Sequence, residues 1–314
     1  MSPHTEVWPR EITDASTRIA GHVRRTPVIA LEDEAFALSA KAFLKLESLQ
    51  HTGSFKPRGA FNCILSSQVP RAGVIAASGG NHGAAVAFAA RKLGHRAEIF
   101  VPSISSPVKI GRLRDYGAEV HVIGRDYIEA LDASRKRAAE TGALAIHAYD
   151  DARVLAGQGT LGLELEDQVP DLDSLLIAVG GGGLIGGVAA WYQGRVRVIS
   201  VEPEKAPSLA RSLDAGKVIE VEVGGVAADS PGARRVGELM FAIAQKFVSQ
   251  AILVSDEQIV HAQKILWERL RLVAEPGGAT ALAALIAGAY RPRAGERVGV
   301  VICGANAELA QIPV

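Results

Sequence analysis

The chain has 314 residues, about two domains' worth of ordinary globular sequence. Its 34 Lys and Arg balance its 34 Asp and Glu, and no basic run is longer than Arg24–Arg25 or Arg234–Arg235, which argues against a nucleic-acid or anionic-membrane surface. A 48% hydrophobic and 22% charged composition suits a folded core, but 33 glycines are more than such a core asks for.

The first residues lack the basic start and apolar stretch of a secretion signal. Two cysteines, Cys63 and Cys303, make neither a disulfide framework nor a paired-Cys metal site. The uncharged stretch 174–194 is long enough to span a membrane, but six glycines between Gly180 and Gly187 give it the composition of a loop. We therefore expect a cytoplasmic protein from a reducing compartment.

The first segment with chemical character is Gly53-Ser-Phe-Lys-Pro-Arg-Gly59. Pro57 suits a first helical position, which sets Lys56 at a helix N-terminus beside Phe55. There the helix dipole and the apolar neighbours favour the neutral amine, the form that condenses with a carbonyl. A lone loop lysine would more simply be solvated. Val74–Ala77 reads as a buried strand, and Ser78-Gly-Gly-Asn-His-Gly83 follows it directly. That bare loop, with Ser78, Asn81 and His82, suits an anion such as a carboxylate. Helical spacing over 83–93, 106–116 and 128–141 alternates with strands at 97–101 and 119–123.

Beyond these, Leu175–Val179 reads as a strand ending in Gly180-Gly-Gly-Gly183, with a helix over 184–193 and a strand over 196–201. Helices follow over 231–247 and 256–272, the second with Asp256 as N-cap, and then a strand over 297–302. The alternation implies an α/β architecture with parallel sheets covered on both faces and ligands beyond the strands' carboxyl ends. Gly181, Gly183 and Gly186 match G-x-G-x-x-G, and Glu202 stands about 20 residues on, where a dinucleotide fold places its ribose-binding acid. A nicotinamide-dependent oxidoreductase is therefore one reading. The physical content of the run is narrower: N–H groups at a helix N-terminus bind a phosphate. A packing turn would explain one or two of the six glycines.

Four ordered motifs, the Lys56 segment, the Ser78–Gly83 loop, Gly180–Gly183 and Cys303-Gly-Ala-Asn306, resemble those of the fold-type II pyridoxal-phosphate enzymes. Within them the chain is most similar to the serine/threonine dehydratases (ammonia-lyases) and serine racemases. The resemblance runs from Arg25-Thr-Pro27 to Cys303, with Ala156–Thr160, Val201–Pro203 and Glu275–Gly278 as supporting segments. It implies two domains of the tryptophan-synthase-β kind, each an open, mostly parallel sheet flanked by helices. Residues 1–72 and 151–314 would form the large cofactor-binding domain and 73–150 a small mobile one, in a homodimer.

The resemblance also implies roles. Lys56 would bond covalently to pyridoxal 5'-phosphate and, once displaced by substrate, remove the Cα proton. Phe55 would flank the cofactor, and Asn81 would hydrogen-bond its phenolic oxygen. Gly180, Gly181, Gly182 and Gly183 would bind its phosphate, and Cys303 would sit beside its pyridine nitrogen. A thiol there leaves that nitrogen largely unprotonated, which favours loss of a β-leaving group over transamination. Ser78, Gly79, Asn81 and His82 would receive the substrate carboxylate.

The implied reaction is elimination of water from a small β-hydroxy amino acid, threonine or serine, giving a 2-oxo acid and ammonia. Dehydration of 3-hydroxyaspartate and racemisation are sibling activities of such a site. In the racemases a second serine serves the opposite face of Cα; here that position is Gly79, so we expect elimination without efficient racemisation. A divalent cation near Glu202 and Ala206 is an open reading, because the next acid of that pattern is replaced by Ser208; Glu204 and Asp229 are the nearby alternatives. The substrate's β-substituent would face 157–160 and 224–229, and an inward arginine among Arg153, Arg234 and Arg235 would mark a second carboxylate. No segment of domain size follows Asn306, so we expect no feedback domain.

Overall fold

In the computed structural model, residues 7–31, 40–226 and 233–307 are described. Strand β1 (Val28–Ala30) pairs antiparallel with β2 (Lys41–Lys45). The chain then makes two tight turns and enters helix α2 (Lys56–Leu65), which packs beside the N-terminal α1 (Pro9–Ile19). Next come β3 (Val74–Ala77), α3 (Asn81–Lys92), β4 (Ala97–Val101), α4 (Pro107–Asp115), β5 (Glu119–Val122), α5 (Tyr127–Thr141) and β6 (Leu144–Ala145). These four strands form a wholly parallel sheet in the order β5-β4-β3-β6. Strands β3 and β4 are buried along their whole length, as their continuous apolar sequences require between two helical layers.

The second half of the chain returns to the first sheet. It contributes α6 (Ala152–Gln168), β7 (Ser174–Ala178), α7 (Gly183–Tyr192), β8 (Arg197–Pro203), α8 (Ser208–Ala215), α9 (Glu238–Phe247), β9 (Val248–Val254), α10 (Asp256–Leu270), α11 (Pro276–Ile286) and β10 (Arg297–Val301). The six-stranded order is β1-β2-β10-β7-β8-β9, parallel except at β1. Each sheet has its own apolar core, and α2 carries Ala60, Phe61 and Ile64 into the core of the smaller sheet. The fold is thus two open α/β layers, with the chain crossing over twice between them.

Strand order positions the site. Strands β2, β10 and β7 are neighbours. Beyond their carboxyl ends lie Lys56, Cys303 and Gly180, while Ser78 lies beyond β3 of the other sheet.

Several elements differ from the sequence expectation. Helix α9 begins at Glu238, not 231, and runs into β9 with no intervening loop. The N-cap of α10 is Ser255, whose hydroxyl accepts from the Gln258 N–H while Gln258 returns a bond to the Ser255 N–H. Asp256 is the first helical residue and pairs with Lys205 at 2.6 Å. Helix α6 runs straight through Gly157, Gly159 and Gly162. A Cβ at Gly157 would stand 2.5 Å from the Arg58 carbonyl, and one at Gly159 2.8 Å from that of Gly187, so these glycines let helices touch backbone to backbone.

Candidate active site

Two 3₁₀ turns deliver Lys56. Thr52, at φ 60°, and Gly53, at φ 73°, are consecutive left-handed residues, a costly conformation for the β-branched threonine. The chain from Ser54 onward is then clamped to the segment after β10. Phe55 N–H donates to the Cys303 carbonyl at 3.1 Å, and Ala305 N–H to that of Gly53 at 2.9 Å. Lys56 opens α2 and donates from Nζ to the Ala148 carbonyl at 2.8 Å, with Nζ 5.0 Å from the Phe55 ring centre. Burial lowers its pKa from 10.5 to about 8, against an upward pull from Cys303 and Glu275. The amine loses its proton around pH 8, well below the ordinary lysine range.

Cys303 is buried, and its thiol is pushed up to about 12, so it remains neutral; it donates to the Gly277 carbonyl at 3.4 Å. Gly278 lets α11 approach here, since a Cβ would stand 2.0 Å from the Gly304 carbonyl. Gly225, by contrast, lies against Asp256.

In the loop after β3, Gly80 caps α3, and Ser78 Oγ accepts its N–H at 3.2 Å. A Cβ at Gly83 would meet the Ser78 carbonyl at 2.0 Å, so that turn requires glycine. The first-turn N–H groups of α3, from Asn81 to Gly83, lack intrahelical acceptors and suit a carboxylate. His82 differs from the expectation. Burial and the nearby Lys56 push its pKa down to about 3, and Nε2 lies 3.0 Å from the Ile146 carbonyl. Its ring is a neutral group packed against that carbonyl, and what the residue offers a ligand is its backbone N–H.

The glycine run ends β7 and starts α7, with Gly182 at φ 86°. The Gly180 carbonyl points toward Ser208 Oγ, 3.4 Å away, and that of Gly181 accepts from Gly237 N–H at 3.1 Å. In a trans peptide the next N–H points the opposite way, so those of Gly181 and Gly182 face away from these partners. With the first-turn N–H groups of α7 they are donors of the kind that would suit an anion. Packing accounts for more of the glycines than the sequence suggests. A Cβ would stand 2.2 Å from the Tyr149 ring at Gly181 and 2.2 Å from Met240 at Gly182. At Gly186 it would meet Met240 at 2.7 Å, and at Gly187 the Leu155 carbonyl at 2.2 Å.

Glu202 is fully buried, and both its oxygens cap α8. Oε1 accepts from Leu209 N–H at 2.7 Å and Ser208 Oγ at 3.2 Å, and Oε2 from Ala210 N–H at 2.7 Å. Burial raises its pKa to about 7, those bonds opposing it. The Ala206 carbonyl accepts from Ser208 N–H at 3.1 Å. This donor set does not fit a divalent cation, nor does it leave an acid for a dinucleotide ribose. Asp229 lies outside the described residues. Glu98, Glu119 and His121 gather on β4 and β5, but Arg137 grips Glu98 and Arg96 reaches Glu119, which makes an ion network.

Of the residues expected to face the β-substituent, 227–229 lie outside the described residues. Gly157–Thr160 are buried inside α6, Arg153 pairs with Asp151, and Arg235 pairs with Glu238. Two residues without an assigned role in the sequence do reach the site. Glu275 accepts from Asn81 Nδ2 at 2.6 Å, and Asn306 donates to Asn81 Oδ1 at 2.6 Å.

The donor set tests the cofactor. Ser54 Oγ is buried without a partner among the described residues, a state found mainly where a ligand or water completes the network. A lysine lowered to about 8, a neutral thiol and a glycine loop rich in N–H donors, beyond the ends of three adjacent strands, suit a phosphorylated carbonyl cofactor, and this defines the class. The chain belongs to the pyridoxal-phosphate dependent enzyme family, whose model matches residues 19–304.

Its relatives agree. The L-threonine ammonia-lyase of Geobacter sulfurreducens is 40% identical over 309 residues, covering 96% of this chain and 76% of the relative. The structure of maize serine racemase superposes with a TM-score of 0.92 at 33% identity, covering 97% of this chain and 95% of that one. The processed form of threonine deaminase isoform 2 from Solanum lycopersicum gives 0.91 at 31% identity, covering 96% and 85%. Among the described residues no helix is long and apolar enough to cross a membrane.

The cofactor's phosphate would rest on Gly180–Gly183, its carbonyl carbon on Lys56 and its ring nitrogen at Cys303. Gly181→Ala presses a methyl into Tyr149 and should weaken retention of pyridoxal phosphate about tenfold in equilibrium dialysis.

Proposed function

We propose that the protein eliminates water from a small β-hydroxy amino acid, threonine or serine, to give a 2-oxo acid and ammonia. The observation that carries this reading is a Lys56 amine poised near 8 beside a Cys303 thiol that stays neutral. When bound, pyridoxal phosphate supplies the electron sink that makes the substrate's Cα proton acidic. The residues do the rest. The N–H groups opening α3 and the Ser78 hydroxyl hold the substrate carboxylate, while Phe55 and the Gly180–Gly183 loop fix the plane in which Cα reacts. Lys56 Nζ, neutral in a large fraction near pH 8, takes the Cα proton. A neutral Cys303 gives the ring nitrogen no full proton, which favours expulsion of the β-hydroxyl over reprotonation of Cα. The names of the relatives, threonine ammonia-lyase and threonine deaminase, support the same class.

Racemisation is the second reading, favoured by the likeness to maize serine racemase. It needs a proton carrier on the face opposite Lys56, and Gly79 has none. A Cβ there would stand 3.0 Å from Ser105 Oγ, so a serine at 79 must displace that hydroxyl. The test is a parallel assay of the loaded enzyme with L-threonine, L-serine and 3-hydroxyaspartate, reading 2-oxo acid and D-amino acid together. We expect oxo acid from threonine or serine at a rate at least about tenfold above any D-isomer, a gap set by one missing proton-transfer group. Faster D-serine formation, or turnover of 3-hydroxyaspartate alone, would sink the proposal.

A further inference from the structure

The carboxamide of Asn81 has two ends alike in shape and opposite in chemistry: an oxygen that accepts and a nitrogen that donates two hydrogens. Which end faces the reacting centre is decided by what its neighbours can give or take. Arg112, in α4, donates from Nη1 to Asn306 Oδ1 at 2.8 Å. A guanidinium has only donors, so Asn306 must show it the oxygen. Its nitrogen then faces the other way, where it donates to the Thr52 carbonyl at 2.7 Å and to Asn81 Oδ1 at 2.6 Å. With its oxygen taken, Asn81 turns Nδ2 toward Glu275, whose carboxylate accepts at 2.6 Å. Glu275 uses one amide hydrogen, and the second is left for a ligand.

The chain of bonds crosses between the domains. Asn81 and Arg112 belong to the four-stranded half, and Thr52, Glu275 and Asn306 to the six-stranded half. Local backbone is shaped to admit it: Gly53 is left-handed, and a Cβ there would stand 2.8 Å from Asn306 Oδ1. Arg112 is half-buried, and among the described residues no carboxylate lies within ion-pair distance of it. A partly desolvated guanidinium set against a neutral amide does little for stability. It does fix a direction.

We propose that Arg112 is a positioning residue: through Asn306 it sets the orientation of the Asn81 amide, so that Nδ2 faces the cofactor and substrate when the two domains meet. This rests on the role of Asn81 toward the cofactor's phenolic oxygen. Arg112→Lys keeps a donor, Arg112→Met removes it at similar length, and Arg112→Glu substitutes an acceptor that asks Asn306 to turn round. Each would be loaded with pyridoxal phosphate and read for kcat, KM, the visible absorbance maximum and the dissociation constant of the cofactor, with thermal unfolding as control.

We expect kcat to fall about tenfold in Arg112→Met and further in Arg112→Glu, with Arg112→Lys near wild type and KM moving less than kcat. The absorbance maximum and cofactor affinity should shift in the same order while the unfolding midpoint holds. Asn81→Ala separates the two ideas. If it leaves absorbance and kcat unchanged, the role of Asn81 is wrong and the relay falls with it. If Asn81→Ala is damaging while all three Arg112 variants match wild type, the relay alone is overturned. Variants impaired only toward a dicarboxylic substrate would likewise overturn it, making Arg112 a substrate contact.

Discussion

Lys56→Ala is expected to lower kcat by a factor of about 10³–10⁴ and to leave the protein with no cofactor that borohydride can fix, read as mass added to the peptide carrying residue 56. The size follows from two roles in one amine, covalent hold on the cofactor and removal of the Cα proton. An exposed lysine near 10.5 is about 0.3% neutral at pH 8. Burial against Phe55, opposed by Cys303 and Glu275, brings Lys56 to about 8, so about half the amine is neutral there. The sign is definite: neutral amine accumulates as pH rises, so the rate at which apoprotein captures pyridoxal phosphate should climb through about pH 8 and level off above it. Lys56→Arg should fail as completely as alanine, because a guanidinium keeps its charge. A capture midpoint near pH 10, or an alanine variant with full activity, contradicts this account.

What made Lys56 legible in the sequence was local. Pro57 marks the helix start and Thr52-Gly53-Ser54 the turn, and both signals lie within five residues. The strands that end in glycine loops, β3 and β7, were legible for the same reason, since apolar runs there stop at abrupt punctuation. Strand β9 was not, because α9 passes into it at Phe247–Val248 with no turn residue between. Helix α6 was not expected, because its glycines break the usual helical pattern while serving as close contacts with α2 and α7. The site followed the same division. The bare loops were visible as composition, whereas Glu275 and Asn306 meet Asn81 across 194 and 225 residues of chain, a distance no spacing rule covers. The ring of His82 lay beyond reach for a related reason: its partner is the Ile146 carbonyl, contributed by the segment after β6.

Arg58→Met is expected to destabilise the protein by about 3–5 kcal/mol, measured as a lowered urea midpoint with little change in slope. Arg58 sits two residues past Lys56, 1% exposed, with Nε and Nη2 on the two oxygens of Glu47 at 2.9 and 2.7 Å. Nη2 also reaches Glu164 at 3.0 Å, and Lys45 closes the group with a 2.5 Å bond to Glu164. Two cations and two anions cancel without water, so removing one leaves a carboxylate stranded. Burial pushes the Glu47 carboxyl up, but the Arg58 guanidinium overrides it and holds the pKa below 4.5. In wild type, therefore, Glu47 contributes stability above its ordinary pKa and loses it as pH falls through the lowered folded value. Without Arg58 only Lys45 and the Thr26 hydroxyl oppose the burial penalty, so the folded pKa of Glu47 moves up, and the loss relative to wild type grows as pH climbs through that interval. The variant should therefore be closest to wild type near pH 5 and furthest from it near pH 8. Adding Glu47→Gln should return much of the lost stability, since an amide needs no counter-charge. Because α2 begins at Lys56, the single variant should also hold pyridoxal phosphate more weakly, and the double variant should recover part of that hold. Equal urea midpoints for wild type and Arg58→Met at pH 8 would show that the buried charges do not depend on one another.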